Sequence, residues 1–193
     1  ATSEGDFHAG LNFASMYNAK TIFFCQNNQY AISTSRKIQT KSKTIAQKAI
    51  AYDMPHVQVD GNDVLAILKT MQQAIDLARE HNTPTFIEAV TYRLEDHSTS
   101  DNSSLYRSQE EEQQAETRDP IKRIEVFMRA QKILNDTNKQ EIIDKVTKEI
   151  DEQIEKAKRE SVPAADSMFT YLLSETYPEL ERQRDLLLNE INQ

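Results

Sequence analysis

The sequence predicts an α/β chain: a parallel sheet with flanking helices, followed by a helical C-terminal region. Three observations predict it. Short β-rich apolar runs at Thr21 to Cys25, His56 to Val59 and Thr85 to Tyr92 alternate with segments of helical periodicity, an order that builds a doubly wound parallel unit. The first run is almost continuously apolar, as strands covered on both faces are. From Gln109 onward the text turns to long Glu- and Lys-rich stretches with apolar residues at helical spacing. The division therefore falls at 108, with an α/β portion over 1–108 and a helical region over 109–193.

Composition bounds the function classes. With 193 residues, 38% hydrophobic and 28% charged, the chain has enough material for one core and a helical appendage. The 31 acidic and 23 basic residues leave a net charge of −8, which argues against a general nucleic-acid or anionic-membrane binder. No apolar run approaches a membrane span, and Ala1 to Lys20 has neither the basic start nor the apolar middle of a signal peptide. The simplest address is cytoplasmic. Cys25 is the one cysteine and sits inside an apolar run, so an unreactive, buried thiol is expected.

Taken in order, Ser3 is a candidate N-cap for a first helix with Phe7, Leu11, Ala14 and Met16 on its apolar side. His8 reads as a surface or contact histidine. The strand at Thr21 to Cys25 runs into Asn27 and Asn28, followed by Tyr30. In open α/β sheets ligands bind outside the carboxyl ends of strands, and Asn28 can supply an amide oxygen and Tyr30 a main-chain carbonyl. Uncharged hard oxygens suit magnesium, although an isolated Asn-Asn pair is more often a simple turn. Ser33 to Lys43, polar and basic, reads as a loop over that site. Thr44 starts a short helix that Met54 and Pro55 end.

Asp60-Gly61-Asn62-Asp63 reads as a turn and helix cap rather than a calcium loop, because the later ligands of such a loop are missing. The helix it starts, Asp63 to His81, carries Val64, Ile67, Leu68, Met71, Ile75 and Ala78 on one side. In the strand at Thr85 to Tyr92, Glu88 needs a structural partner. The loop Tyr92 to Ser108 then places His97, flanked by Arg93 and Arg107, at a second strand's carboxyl end. Histidine moves protons near neutral pH and arginines hold carboxylate or phosphate. Beyond it, Asp119-Pro120 starts one helix, Ile142, Ile143, Val146, Ile150 and Ile154 stripe another to about Arg159, and Pro163 separates a last pair. Their Glu/Lys mixture reads as a solvated outer face.

Two stretches carry a family resemblance. Ala-Thr-Ser-Glu-Gly-Asp-Phe-His-Ala-Gly-Leu-Asn-Phe-Ala at 1–14 with Phe-Phe-Cys-Gln-Asn-Asn-Gln-Tyr-Ala-Ile-Ser-Thr at 23–34 resembles the thiamin-diphosphate motif of the 2-oxo acid dehydrogenases, in the alpha subunit of their decarboxylating component. The stretch 97–108 resembles that family's active-site loop, His-Ser-Thr-Ser-Asp-x-Ser-Ser-x-Tyr-Arg-Ser. In the family the motif opens with Gly-Asp-Gly or Gly-Glu-Gly, and this chain starts just after that opening. The expectation is a thiamin diphosphate-binding fold truncated at its N-terminus, the C-terminal portion of a longer subunit.

The resemblance implies a function: oxidative decarboxylation of 2-oxo acids on thiamin diphosphate, with acyl transfer to lipoyl groups. It implies that Ala1 lies beside the cofactor, that Asn28 and the Tyr30 carbonyl hold magnesium, and that His97 is the active-site histidine. Ser98 matches the family's phosphorylatable serine, and Asp101, Tyr106 and Arg107 match residues that order the loop. Implied partners are a beta subunit, two alpha with two beta, and a lipoyl acyltransferase core. The wording Ser-Glu-Gly-Asp-x-His-Ala-Gly and His-Ser-Thr-Ser-Asp is closer to the branched-chain enzymes than to pyruvate dehydrogenase, whose alpha subunit is the alternative. Gln26 stands where the branched-chain type often has an arginine reaching the diphosphate. A reading from another class is an inactive piece competent only for subunit association, while a transketolase-like enzyme is disfavoured by the His97 loop.

Overall fold

The computed structural model describes residues 1–191. The chain forms two compact units, Ala1–Asn135 and Asp136–Gln193. The first holds helix α1 (Gly5–Met16), strand β1 (Ile22–Asn27), a hairpin of β2 (Tyr30–Ala31) and β3 (Thr34–Ser35), and a helical turn α2 (Arg36–Gln39). A 3-10 helix (Ala46–Tyr52), β4 (His56–Asp60), α3 (Val64–His81), β5 (Thr85–Val90), α4 (Gln109–Glu116) and α5 (Pro120–Ala130) follow. The main sheet is parallel throughout, in the order β1-β5-β4.

β5 is central, and Thr85 through Ala89 are all buried. A strand covered on both faces selects apolar side chains in succession, which is why this stretch is legible as β. Alternation sends Phe86 into a cluster with Leu11 and Ala14 of α1 and with Ala46, Ala49 and Met54 of the segment before β4. Ile87 and Ala89 point to the opposite face, which α3 covers while touching all three strands. α3 is capped as its sequence predicts: the Asp63 carboxylate accepts from the N–H groups of Leu65 and Ala66 at 3.0 and 3.1 Å, and Asn82 closes the helix at φ 50°.

Four local expectations are corrected. α1 begins after Glu4 without a side-chain cap, because the Glu4 N–H bonds to the Ala1 carbonyl at 3.0 Å and Ser3 stays outside. Met16 is exposed, since the α1 contact ends at Ala14. The expected loop at Ser33 to Lys43 contains β3 and α2, held by the Ser35 cap on Lys37 N–H and by Arg36, whose guanidinium donates to the carbonyls of Ser42 and Lys43. On α3 the buried line runs through Ala74 and Ala78, while Val64 and Leu65 line a small cleft with Pro120, Ile124 and Phe127. Small residues at the contact let the helix approach the strands, and hydrophobic size alone does not reveal that.

Gly61 is needed for close approach. A Cβ there would lie 2.9 Å from the Val90 carbonyl oxygen, the atom that accepts the Gly61 N–H at 2.8 Å. Glu88, fully buried, accepts from Asn27 Nδ2 at 2.8 Å and from the Ala46 N–H at 2.9 Å. Its neighbour across the register, Cys25, has its thiol pushed up to about 11 by burial and by the Glu88 charge.

The second unit contains α6 (Asp136–Arg159), α7 (Ser167–Thr170) and α8 (Pro178–Ile191), with Leu180 buried. The apolar stripe of α6 is half exposed, from Ile142 to Ile154. Among the described residues no helix is long and apolar enough to cross a membrane.

Replacing Glu88 with Ala strands two buried donors, and urea unfolding is expected to show a loss of about 2–4 kcal/mol. Gly61→Ala forces backbone apart and is expected to cost about 1–3 kcal/mol in the same measurement. Unchanged midpoints would refute these two assignments.

Candidate functional site

The carboxyl end of β1 turns through two consecutive side-chain-to-backbone bonds. Asn27 Oδ1 accepts the Gln29 N–H and Asn28 Oδ1 accepts the Tyr30 N–H, each at 3.2 Å. Both are turns of the kind asparagine makes readily. Gln29 between them adopts φ 73°, a conformation that costs a side-chain-bearing residue roughly 1–2 kcal/mol. Its amide nitrogen offsets part of this by donating to the carbonyls of Asn27 and Thr91. The turn is thus tied to β5 as well as β1.

The second loop packs its root against this turn. Arg107 is buried with its guanidinium 5.3, 5.2 and 5.6 Å from the ring centres of Tyr30, Tyr92 and Tyr106. It donates to the Leu94 carbonyl at 3.2 Å and the Glu95 carbonyl at 3.4 Å, and faces Glu112 at 3.8 Å. Arg93 donates to the Ile32 carbonyl at 2.8 Å and to the Tyr106 hydroxyl at 2.7 Å. Tyr30, in turn, donates its hydroxyl to both carboxylate oxygens of Glu111, at 2.9 and 3.1 Å.

Within the loop, Asp101 Oδ2 accepts the His97 N–H at 2.9 Å and the Tyr106 hydroxyl at 2.5 Å. These bonds, the Tyr106 one first, hold the Asp101 carboxyl below the ordinary range. Bonds from Ser103 do the same for Asp96. Burial, then Glu111, raises Tyr30 and Tyr92, so both stay protonated; the Tyr30 hydroxyl donates to Glu111, while the buried Tyr92 hydroxyl has no hydrogen-bond partner among the described residues. The tip is open: His97 and Ser98 are exposed, and Ser98 Oγ meets Ser100 Oγ at 3.2 Å.

The structure therefore brings Asn28, Tyr30, Asp101, Tyr106 and Arg107 into one connected network, with His97 and Ser98 on its exposed arm. Ala1 is not hydrogen-bonded into this network, and the charge of its amino group is felt at Cys25 of β1. The Ala1 carbonyl closes the first turn before α1, and the neighbouring Thr2 carbonyl accepts from Lys48 Nζ at 2.7 Å. Gln26 is exposed at the end of β1. Beside the network a cleft of about 500 Å³ opens at the carboxyl ends of β4 and β5, lined by Tyr30, Lys37, Asn62, Tyr92, Glu111 and Arg118.

Three residues of this region escaped sequence reasoning. Glu111 stands in an acidic run that reads as solvated helix. Asn62 is buried, bonding Thr91 Oγ1 at 2.5 Å and the Arg118 carbonyl at 2.8 Å, which braces the cleft floor. Asn27 serves Glu88 while Asn28 does not, and nothing in the Asn-Asn wording separates the two.

The donors fit a hard cation and its anion. Among the described residues no group of three or more His, Cys, Asp and Glu side chains forms a metal cluster. The candidate ligands are instead neutral oxygens: Asn28 Oδ1 keeps a second lone pair beside its bond to Tyr30 N–H, and the Tyr30 carbonyl lies two residues on. The N-terminus of α1 has no side-chain cap, so its first amides can face an anion.

Arg107→Lys removes the plane that stacks among three rings and bonds two carbonyls. Hydrogen exchange of the 93–107 amides is expected to accelerate by roughly 10–100-fold. The Asp101 bonds add a pH signature. A carboxyl held below its unfolded value contributes stability above that value and loses it as pH falls through the lowered one. Tyr106 ring signals should therefore hold through the ordinary carboxylate range and shift only below it; a shift centred within that range would contradict the Asp101 contacts.

Comparison with known proteins bears on this arrangement. The family described as dehydrogenase E1 component matches residues 1–166. A 3-methyl-2-oxobutanoate dehydrogenase subunit alpha from Mycobacterium tuberculosis is 41% identical over 194 aligned positions, covering 99% of this chain and 52% of that protein. A pyruvate dehydrogenase E1 component subunit alpha from Mycoplasma genitalium is 38% identical over 185, covering 96% and 52%. A 2-oxoisovalerate dehydrogenase subunit alpha from Bacillus subtilis is 35% identical over 172, covering 89% and 52%. The chain spans about half the length of these curated relatives.

Proposed function

The chain belongs to the dehydrogenase E1 component family, and from that premise we propose that it forms part of the alpha subunit of a thiamin-diphosphate-dependent 2-oxo acid dehydrogenase. The observation that carries the reading is the junction of the two loops. The Asn28–Tyr30 turn and the root of the His97 loop, more than sixty residues apart in sequence, are bonded through Arg93 and stacked through Arg107. A shared crevice is what two-part recognition of a diphosphate and an acyl acceptor requires.

When bound, thiamin diphosphate supplies the electron sink that lets a 2-oxo acid lose carbon dioxide and pass on its acyl group. This chain's part is placement and proton handling. Asn28 Oδ1 and the Tyr30 carbonyl would hold magnesium against the diphosphate, and the open amides before α1, with Ala1, would face the same anion. Gln26 offers that anion a neutral contact in place of a charged one. The His97 backbone is fixed by Asp101 while its imidazole stays accessible, so it can orient a phosphate or lipoyl group and move a proton there. Ser98, exposed on the same tip, is accessible to a modifying kinase.

The proposed partners are a beta subunit, two alpha with two beta, and a lipoyl acyltransferase core, met in the cytoplasm if the chain is bacterial and in the mitochondrial matrix if it is eukaryotic. Branched-chain 2-oxo acids are the proposed substrates, on the wording of 3–10 and 97–101; relatives named for pyruvate and for branched acids have similar identity. The exposed apolar stripe of α6 favours a second, compatible reading in which the isolated chain is a subunit-association module without turnover.

Calorimetric titration with thiamin diphosphate and magnesium tests the reading. Binding is expected when the chain stands within a complete alpha subunit joined to its beta subunit, and absence of binding there would refute the function. In that assembly His97→Ala is expected to lower kcat by about 10²–10⁴-fold. A kcat/KM higher for pyruvate than for a branched 2-oxo acid would overturn the substrate assignment alone.

A further inference from the structure

We infer that Glu111 is a positioning residue for the metal turn, holding the Tyr30 carbonyl in place through the Tyr30 hydroxyl. The inference rests on the proposed magnesium role of Asn28 and Tyr30. β2 is two residues long, pairs only with β3, and is not hydrogen-bonded into the main sheet. The backbone of Tyr30 is held locally, by the Asn28 Oδ1 bond to its N–H and by its pairing with Ser35, and its side chain is the further anchor. That side chain is clamped at its far end, where Glu111 takes the hydroxyl with both oxygens at 2.9 and 3.1 Å, and along its face, where Arg107 and Tyr92 pack.

Glu111 is itself placed firmly. Its N–H is bonded to Ser108 Oγ at 3.2 Å, in the cap of α4, and a carboxylate in a first helical turn is favoured by the helix dipole. α4 thus supports the Tyr30 carbonyl through the hydroxyl of the same residue. Groups that orient metal ligands from outside matter almost as much as the ligands, and losing one typically weakens metal binding by 10–100-fold. The same contact couples the start of the helical region to the end of β1, a path that no spacing in the sequence suggests.

The test uses the complete alpha subunit assembled with its beta subunit and follows magnesium binding by calorimetry at saturating thiamin diphosphate. Glu111→Ala and Tyr30→Phe, which removes a single oxygen, are each expected to weaken magnesium binding by about tenfold. The double variant should be no weaker than either single one, because both remove the same contact. Glu111→Gln keeps an acceptor and should lie within about threefold of the parent. Every parameter should be unchanged in the control Gln113→Ala, which changes an exposed residue of the same helix. Parent-like magnesium affinity in Tyr30→Phe, or additive losses in the double variant, would overturn the inference while leaving the proposed function standing. A parent assembly that binds no magnesium would overturn both.

Discussion

Much of this structure depends on one buried carboxyl group. Glu88 sits at the centre of the central strand with no exposure, where an unpartnered acid would be strongly destabilising. Each oxygen has a donor: Asn27 Nδ2 from the end of β1 and the Ala46 N–H from the start of the 3-10 helix. One side chain thereby joins two strands and the segment that covers them. The turn carrying Asn28 and Tyr30 begins one residue after Asn27, so it starts from a fixed point. Burial and the same charge keep the Cys25 thiol protonated at neutral pH and hence unreactive.

The two loops are joined by a different physics. A segment rich in Ser, Asp and Asn buries little apolar surface, and ordering it costs about 1–2 kcal/mol per residue in backbone entropy. Here the stabilising contacts concentrate at the root, where one arginine meets three tyrosine rings and two carbonyls. A desolvated cation on an aromatic face is worth up to about 2 kcal/mol, more than an exposed ion pair. The tip around His97 receives one backbone bond to Asp101 and otherwise faces solvent. A rigid root with an accessible tip is the arrangement that the proposed role of His97 calls for.

Charge is arranged accordingly. The turn offers neutral oxygens, while the acids nearest to it are engaged: Glu111 with Tyr30, Glu112 with Arg107, Asp60 with Arg123 at 2.8 Å. Burial works to raise Asp60, but the bonds from Arg123 and the Asn62 N–H outweigh it and leave its carboxyl below the ordinary range. In the second unit, pairs such as Lys145 with Glu149 and Lys148 with Glu152 contribute only about 0.3–0.5 kcal/mol each. The apolar stripe between them is the larger unspent interaction of that unit.

The alternation of strand and helix, the Asp63 and Asp119 caps and the parallel β-rich runs were determined by the sequence itself, because each rests on chemistry between residues a few positions apart. The two loop motifs were legible for the same reason. What only the tertiary structure decided was the central place of β5, the separation of Asn27 for Glu88 from Asn28 for the turn, and the meeting of Arg107, Tyr30 and Glu111. The contact of α3 through two alanines belongs to the same group. These depend on distances between segments far apart along the chain, and a carboxylate in an acidic run looks the same in sequence whether it faces water or a tyrosine hydroxyl.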